Sequence, residues 1–274
     1  MEKSLINKMN QKNQSIVKIG IPSNIIYNEL ISNYDILKEK YHLEIYRFPE
    51  KKISELFNQN KLDIALLNPI SYCESSENGS SMVIPTKCIA MESFTGLISM
   101  EFSGKSNKIS TISLPKNEEY IGLIAKIILS ERYDCFPTEI NNNSAKNENP
   151  DCEIIFNELN NSSSIMDLTE IWFDTYEIPL ILGFWVCKSD FNKCDPIALT
   201  NELFNHEISD EFNIIENNDA DKNEYQREGN IHYKWTNDIK ESLNEILQML
   251  FALGIVQDVP EIKLFGEKND KINH

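Results

Sequence analysis

Asp63-Ile64-Ala65-Leu66-Leu67 is a short, mainly apolar run that ends at Asn68. Such a run is typical of a strand covered on both faces, as the strands of a parallel sheet are. Upstream of it, residues 16–21 and Leu43–Phe48 alternate in the manner of strands. Residues 25–40 and 51–60 carry apolar side chains at helical spacing. The order strand, helix, strand, helix, strand predicts an α/β fold with a parallel sheet.

The same rhythm continues downstream. Strands are expected around residues 83–84, 94–102, 109–114, 154–156 and 180–186, and helices over 121–130, 167–174, 199–204 and 239–253. Gly254 fits the C-cap of the last helix. A two-lobed α/β protein is therefore expected, with its ligand at the carboxyl ends of strands and against helix N-termini.

Composition narrows the range of partners. The chain has 274 residues, with 43 acidic and 26 basic ones, which gives a net charge of −17. Binding to nucleic acid or to an anionic membrane needs clustered Lys and Arg, so neither partner is expected. The sequence contains no apolar run of about 18 residues, so no membrane-spanning helix is expected either. The sequence leaves the oligomeric state open.

The cysteines, histidines and first residues predict a cytoplasmic protein without metal or cofactor. Residues 1–15 lack the apolar run of a secretory signal and are expected to form a disordered tail. The six cysteines contain no C-x-x-C and are expected to be free thiols. The histidines form no H-x-x-H pair, and the common motifs for dinucleotides, ATP and nucleophilic serines are lacking.

Four segments carry a more specific pattern. They are Ile19-Gly20 with the polar turn after it, residues 62–72, residues 83–90, and Asp167-Leu168-Thr169-Glu170-Ile171-Trp172 with Pro179 and Trp185 behind it. In this order and spacing the chain resembles the menaquinone-biosynthesis family of the futalosine pathway that contains chorismate dehydratase.

The resemblance implies both a fold and an activity. The fold would be that of the type II periplasmic binding proteins, with two α/β lobes around a central ligand cleft. One lobe would combine residues 16–95 with residues 191–274, and the other would span residues 96–190. The activity would be that of a carbon–oxygen lyase, which removes water from chorismate to give 3-enolpyruvyl-benzoate.

The chain departs from the family at its functional positions. Ile26 stands where the family has an Asn, and Leu97 or Ile98 stands where it has a catalytic Ser. The nearby polar residues Asn24 and Ser99 are therefore the candidate catalytic residues. Ser93, Thr95 and Ser99 share the strand parity of Leu97, which would place them on one face of a strand. The candidate substrate-binding residues are Ser23, Asn24, Asn68, Ser93, Thr95, Asn117 and Tyr120.

Structural roles compete with these functional ones. Ser23 and Asn24 could simply cap a helix, Asn68 could bond within its loop, and Asn117 could lie in a solvated turn. Two functions therefore stay open. One is a weakly active chorismate-dehydratase-like enzyme, and the other is a non-catalytic protein that binds or senses a small carboxylate on the same scaffold.

Overall fold

The computed structural model describes residues 15–76, 80–104, 108–140, 150–157, 166–215 and 227–267. Apart from Ser15, the expected disordered tail lies outside the described residues. The strands are β1 (Val17–Pro22), β2 (Leu43–Phe48), β3 (Ile64–Leu67), β4 (Ser81–Ser93), β5 (Ile98–Phe102), β6 (Thr111–Ser113), β7 (Thr138–Glu139), β8 (Cys152–Phe156), β9 (Leu180–Lys188), β10 (Glu211–Ile215) and β11 (Glu228–Lys234). The helices are a 3-10 helix (Ile25–Ile31), α1 (Tyr34–Tyr41), α2 (Glu50–Asn58), α3 (Pro69–Ser76), α4 (Glu119–Tyr133), α5 (Leu168–Tyr176), α6 (Pro196–Leu203) and α7 (Asn237–Ala252).

The strands form two sheets. A seven-stranded sheet has the order β10-β11-β4-β9-β3-β1-β2, and a four-stranded sheet has the order β5-β8-β6-β7. β1 is parallel to β2 and to β3, as the sequence predicted. β9 is antiparallel to β3, and β10 is antiparallel to β11, so the larger sheet is mixed. The fold class is α/β.

The chain divides into two compact units, each assembled from separate stretches of sequence. Unit 1 comprises Met1–Cys88, Gly183–Ile208 and Asn244–His274, and unit 2 comprises Ile89–Leu182 and Ser209–Leu243. The lobe boundaries that the resemblance implies stay a prediction.

Unit 1 is built on the parallel strands β1, β2 and β3. The 3-10 helix, α2 and α3 each begin directly after one of these strands, which is the βαβ pattern that the sequence shows. The core is dense and apolar because the strands are covered. Its fully buried side chains include Ile19, Ile21, Ile53, Phe57, Tyr72, Phe184 and Trp185.

Unit 2 contains the four-stranded sheet, helices α4 and α5, and the β10–β11 hairpin. The apolar face of α4 is buried as its periodicity predicted, with Ile121, Ile124 and Ile128 at most 2% exposed. Trp172 of α5 is fully buried, and its indole Nε1 donates to the carbonyl of Ile178 at 3.0 Å. The tryptophan of the D-L-x-E-x-W segment therefore has a packing role.

The expectation of a single helix over residues 25–40 is wrong. The chain instead forms a 3-10 helix and then α1, with a break at Ser32 and Asn33. The backbone N–H of Asn33 donates to the carbonyl of Leu203 at 2.9 Å, and its side-chain Nδ2 donates to the carbonyl of Glu202 at 3.0 Å. These bonds to the end of α6 replace the bonds of a continuous helix.

The expectation that Ser93, Thr95 and Ser99 share one strand face is also wrong. β4 ends at Ser93, whose φ is +57°, and Gly96 has a φ of +67°. Two residues in the left-handed region turn the chain before β5 begins at Ile98. The three side chains therefore do not lie on one strand. Ser93 ends β4, Thr95 lies in the turn, and Ser99 lies in β5.

Candidate functional site

The carboxyl ends of three parallel strands meet at one edge of unit 1. Gly20 pairs with Ala65, and Pro22 pairs with Phe48, so β1, β2 and β3 end side by side. Ligands of α/β sheets bind at such an edge, outside the carboxyl ends of the strands. The structure brings three predicted site residues to this edge, at the first positions beyond β1 and β3. They are Ser23, Asn24 and Asn68.

Both asparagines at this edge cap helices. Oδ1 of Asn24 accepts from the backbone N–H of Ile26 at 3.0 Å, which starts the 3-10 helix. Oδ1 of Asn68 accepts from the backbone N–H of Ser71 at 2.9 Å, which starts α3. Asn68 is only 6% exposed, and its Nδ2 donates to none of the described residues. The Oδ1 atom of Asn68 therefore has a capping role, whereas the two N–H groups of its Nδ2 are available to another partner.

Arg47 supplies a positive charge to the same edge. It is the next-to-last residue of β2 and pairs with Ile21 of β1. Its Nη2 donates to Oδ1 of Asn28 at 2.7 Å, and within the described part of the chain its guanidinium makes no salt bridge with a carboxylate. The other arginines, Arg132 and Arg227, both pair with acids. Sequence reasoning missed Arg47, although an arginine near the carboxyl end of a predicted parallel strand is a usable signal.

A buried carboxylate lies beside this edge. Glu50 stands in the first turn of α2 and is 5% exposed, and it accepts a long hydrogen bond of 3.4 Å from the hydroxyl of Tyr27. A carboxylate in the first turn compensates the positive end of the helix dipole. The first turn of α2 also carries Lys51 and Lys52, and Lys52 pairs with Glu55 at 2.9 Å. Arg47 is therefore one of several positive charges near this edge.

The predicted hydroxyl residues of unit 2 are bonded among themselves. Oγ1 of Thr95 lies 3.0 Å from Oγ1 of Thr169, and both residues are at most 2% exposed. Ser99 is also 2% exposed, and its Oγ accepts a short hydrogen bond from Nδ2 of Asn157. The carbonyl of Ser93 accepts from the Thr169 hydroxyl at 2.8 Å. These contacts give the side chains of Thr95 and Ser99 structural partners within unit 2.

Asp167 is the centre of this cluster. It is fully buried and caps α5, since its Oδ1 accepts from the backbone N–H groups of Thr169 and Glu170 at 2.9 and 3.0 Å. Its Oδ2 is buried and has no hydrogen-bond partner among the described residues. Burial raises the pKa of Asp167 to about 6, against the stabilising bonds to its charged form. Sequence reasoning treated Asp167 only as part of a segment of the resemblance.

The contacts around Thr169 partly offset the effect of burial on Asp167. The Thr169 hydroxyl lies within bonding distance of two acceptors, the Ser93 carbonyl and Oδ1 of Asp167. Donation from Thr169 to Oδ1 lowers the pKa of Asp167, whereas burial raises it, and burial has the larger effect.

An ion pair fixes the first turn of α5 to the segment before β11. Arg227 donates from Nε to both carboxylate oxygens of Glu170 at 3.1 Å, and its guanidinium carbon lies 4.1 Å from the centre of the Phe94 ring. The positive charge of Arg227 is thus neutralised inside unit 2. It is not a free cation for a ligand.

The remaining predicted site residues have structural positions. Asn117 is exposed in the turn before α4, with a φ of +69°. Tyr120 is 1% exposed and belongs to the core of unit 2. At the positions where the resemblance has a catalytic Ser, Leu97 and Ile98 are buried at 4% and 0% exposure.

Across the described ranges, no three His, Cys, Asp or Glu side chains come together as a metal site. No helix in that part of the chain is both long and apolar enough to span a bilayer.

No protein-family model and no curated protein matches the sequence. Solved structures do match. Protein AF1704 from Archaeoglobus fulgidus superposes with a TM-score of 0.56 at 10% identity, over 88% of this chain and 98% of that one. The periplasmic aliphatic sulphonate binding protein SsuA from Escherichia coli superposes with a TM-score of 0.51 at 10% identity, over 92% and 94%. The fold is of the periplasmic-binding-protein type. At this identity the likeness concerns the fold alone.

Proposed function

We propose that this protein binds a small carboxylate at the carboxyl edge of β1, β2 and β3 in unit 1, without converting it. The observation that carries the proposal is Arg47. It is a guanidinium at the end of a parallel strand, and it is bonded to Asn28 and to no described carboxylate. Arg47 is exposed, so its remaining N–H donors are open to a ligand from solvent.

The donors at this edge suit a carboxylate. A guanidinium has five N–H donors in a planar fork that matches a carboxylate, and the described contacts of Arg47 use only one of its nitrogens. The Nδ2 group of Asn68 and the exposed hydroxyl of Ser23 can add neutral donors. The proposed ligand carries a single negative charge, since one arginine is present and the buried Glu50 lies nearby.

Conversion of the ligand has less support than binding. Chorismate is a dianion, and a single arginine beside Glu50 is a poor match for two negative charges. The hydroxyls that could have replaced the family's serine, on Thr95 and Ser99, are bonded within unit 2. Ile26 is apolar where the family has its Asn. These observations support the binding protein as the first proposal.

The test is calorimetric titration with benzoate, with benzamide as the uncharged probe of similar shape. We expect benzoate to bind and benzamide to bind more weakly. Replacing the charged donor in Arg47→Gln should weaken benzoate about 10- to 100-fold, because hydrogen bonds to charged groups contribute about 1.5–3 kcal/mol.

The matched control is Arg132→Gln, which removes an exposed arginine that pairs with Asp174 in unit 2. It should leave benzoate affinity unchanged. Benzenesulfonate is a second anion to titrate, because a planar guanidinium can also donate to a sulfonate. If benzoate does not bind, or if both arginine variants weaken it equally, the proposal is wrong.

Chorismate dehydration is the second candidate. It rests on the resemblance and on Asp167, whose buried Oδ2 has no hydrogen-bond partner among the described residues. A buried carboxyl group with a pKa of about 6 keeps its proton closer to neutral pH than an ordinary Asp, as a general acid requires. The experiment is chromatography of chorismate incubated with the protein. Formation of 3-enolpyruvyl-benzoate that is lost in Asp167→Asn and reduced in Ser99→Ala would support the enzyme, and an unchanged chorismate peak would rule it out.

A further inference from the structure

A cavity of about 440 Å³ lies within unit 1, and its lining includes none of the residues assigned to the carboxyl edge. One wall is the outer face of α3, where Ile70, Cys73 and Glu74 follow each other at helical spacing. The opposite wall is the chain that follows α7, residues 255–260. The volume falls in the range of small-molecule pockets, about 300–1,000 Å³.

The segment of residues 255–260 forms a strap that is fastened at both ends. At its start, the backbone N–H of Gly254 donates to the carbonyl of Phe251 at 2.9 Å, where α7 terminates. Beyond its end, Val83 of β4 accepts from Phe265 and donates to the carbonyl of Lys263, both at 2.8 Å. The strap therefore spans α3 from two anchored ends, and the space beneath it belongs to the folded unit.

The lining mixes apolar side chains with polar groups, and polar surface is the larger share. The apolar side chains are Ile70, Ile255, Val256, Val259 and Pro260. Glu74 and Asp258 add two carboxylates, and both residues are exposed. None of the ten lining residues is basic.

We propose that this strap cavity is a second binding site and that it takes a small organic cation, an ammonium group attached to an apolar body. The body would lie against the aliphatic walls, where removing apolar surface from water favours binding. The ammonium group would face the carboxylates of Glu74 and Asp258. The proposal is independent of Arg47, because both the place and the charge of the ligand differ.

The experiment is calorimetric titration of the full chain with benzylamine, benzyl alcohol and benzoate. These probes share a ring and differ in charge. We expect benzylamine to bind, benzyl alcohol to bind at least about 5-fold more weakly, and benzoate not to displace benzylamine. Asp258→Asn, on the exposed strap, should weaken benzylamine at least about 5-fold. Glu74→Gln should do the same, although it also alters the bond that Glu74 accepts from Ser54.

The control is Glu39→Gln, which removes an exposed acid of α1 in the same unit and should leave benzylamine binding unchanged. Arg47→Gln should also leave it unchanged, so failure of this proposal is distinguishable from failure of the carboxylate site. The proposal is overturned if benzylamine does not bind, if benzoate displaces it, or if Asp258→Asn and Glu39→Gln affect it equally.

Discussion

Asp167 makes the stability of the protein depend on pH. Its folded-state pKa of about 6 lies above the ordinary value of 3.8, so the folded protein holds this proton more tightly than the unfolded chain does. Its contribution to the free energy of unfolding is therefore complete below about pH 4. That contribution falls as the pH rises to about 6, by roughly 3 kcal/mol in total.

Replacing Asp167 by asparagine should remove this dependence. The Asp167→Asn variant keeps an oxygen for the N–H groups of Thr169 and Glu170 but has no charge to bury. Measured by urea unfolding, the variant should gain stability relative to the parent between pH 4 and pH 7, by about 3 kcal/mol. Asp167→Ala is the control. It also loses the cap of α5, so its stability should fall by about 1–2 kcal/mol at low pH. Parallel pH profiles for the Asp167→Asn variant and the parent protein would contradict the raised pKa.

At the scale of elements, the cap of α3 can be separated from the proposed binding role of Asn68. Asn68→Ala removes the oxygen that accepts from Ser71, so it should cost about 1 kcal/mol of stability and also weaken benzoate binding. Asn68→Asp keeps that oxygen and places a negative charge at a helix start, which is favourable, but position 68 is 6% exposed, so the cost of burying the charge offsets that gain.

The aspartate variant should nevertheless lose benzoate affinity, by about 10-fold or more, because two carboxylates would share one site. Melting curves and calorimetry on the same samples separate the two effects. Benzoate affinity that survives in Asn68→Asp would show that the Asn68 amide lies outside the site.

The close approach of β11 to the end of β4 gives a second test at this scale. A Cβ added at Gly229 would lie 2.2 Å from the carbonyl oxygen of Phe94 and 2.5 Å from that of Glu92. Backbone atoms cannot move aside as a flexible side chain can, so Gly229→Ala should lower the free energy of unfolding by about 3 kcal/mol or more. Gly254→Ala meets no atom within 4 Å and has only the cost of a φ of +69°, about 1 kcal/mol. Equal melting temperatures for the two variants would contradict the contact.

Helices and strands with a clear apolar periodicity could be predicted from the sequence. Turns that depend on contacts with residues distant in the sequence could not. β1, β2, β3 and α4 lie within a few residues of their predicted bounds, because apolar periodicity alone specifies them. The break at Asn33 depends on carbonyls of Glu202 and Leu203, which lie far away in the sequence. No local pattern contains that information.

At the scale of the whole molecule, the six cysteines give a test of redox state. All six are outside disulfides, and four of them are buried. Burial raises the pKa of Cys152 and of Cys187 to about 12, so these thiols form little of the reactive thiolate at about pH 8. With Ellman's reagent, the half-exposed Cys135 should react first in the native protein.

In denaturant without reductant, the same reagent should count six thiols. A count of about four or fewer without added oxidant would contradict free thiols and the cytoplasmic location that the sequence predicts.

The candidate site was predictable only where a residue's role follows from its place in the chain. Ser23, Asn24 and Asn68 could be named because each follows a strand, and β1 and β3 do end side by side. Arg47 was missed because an arginine in an alternating strand also fits an exposed face. Asp167 was missed because its raised pKa comes from burial, which only folding creates.

The interleaving of the two units has a consequence for biosynthesis. Unit 1 needs residues from Asn244 onward, and unit 2 needs Ser209–Leu243, so neither can be completed before those residues have left the ribosome. Larger proteins commonly fold domain by domain during translation. The interleaved order of the two units prevents this route here, because neither unit is a continuous stretch of sequence. Nascent β1–β3 are therefore made long before the residues from Asn244 onward that complete unit 1, and part of their apolar surface stays uncovered until then.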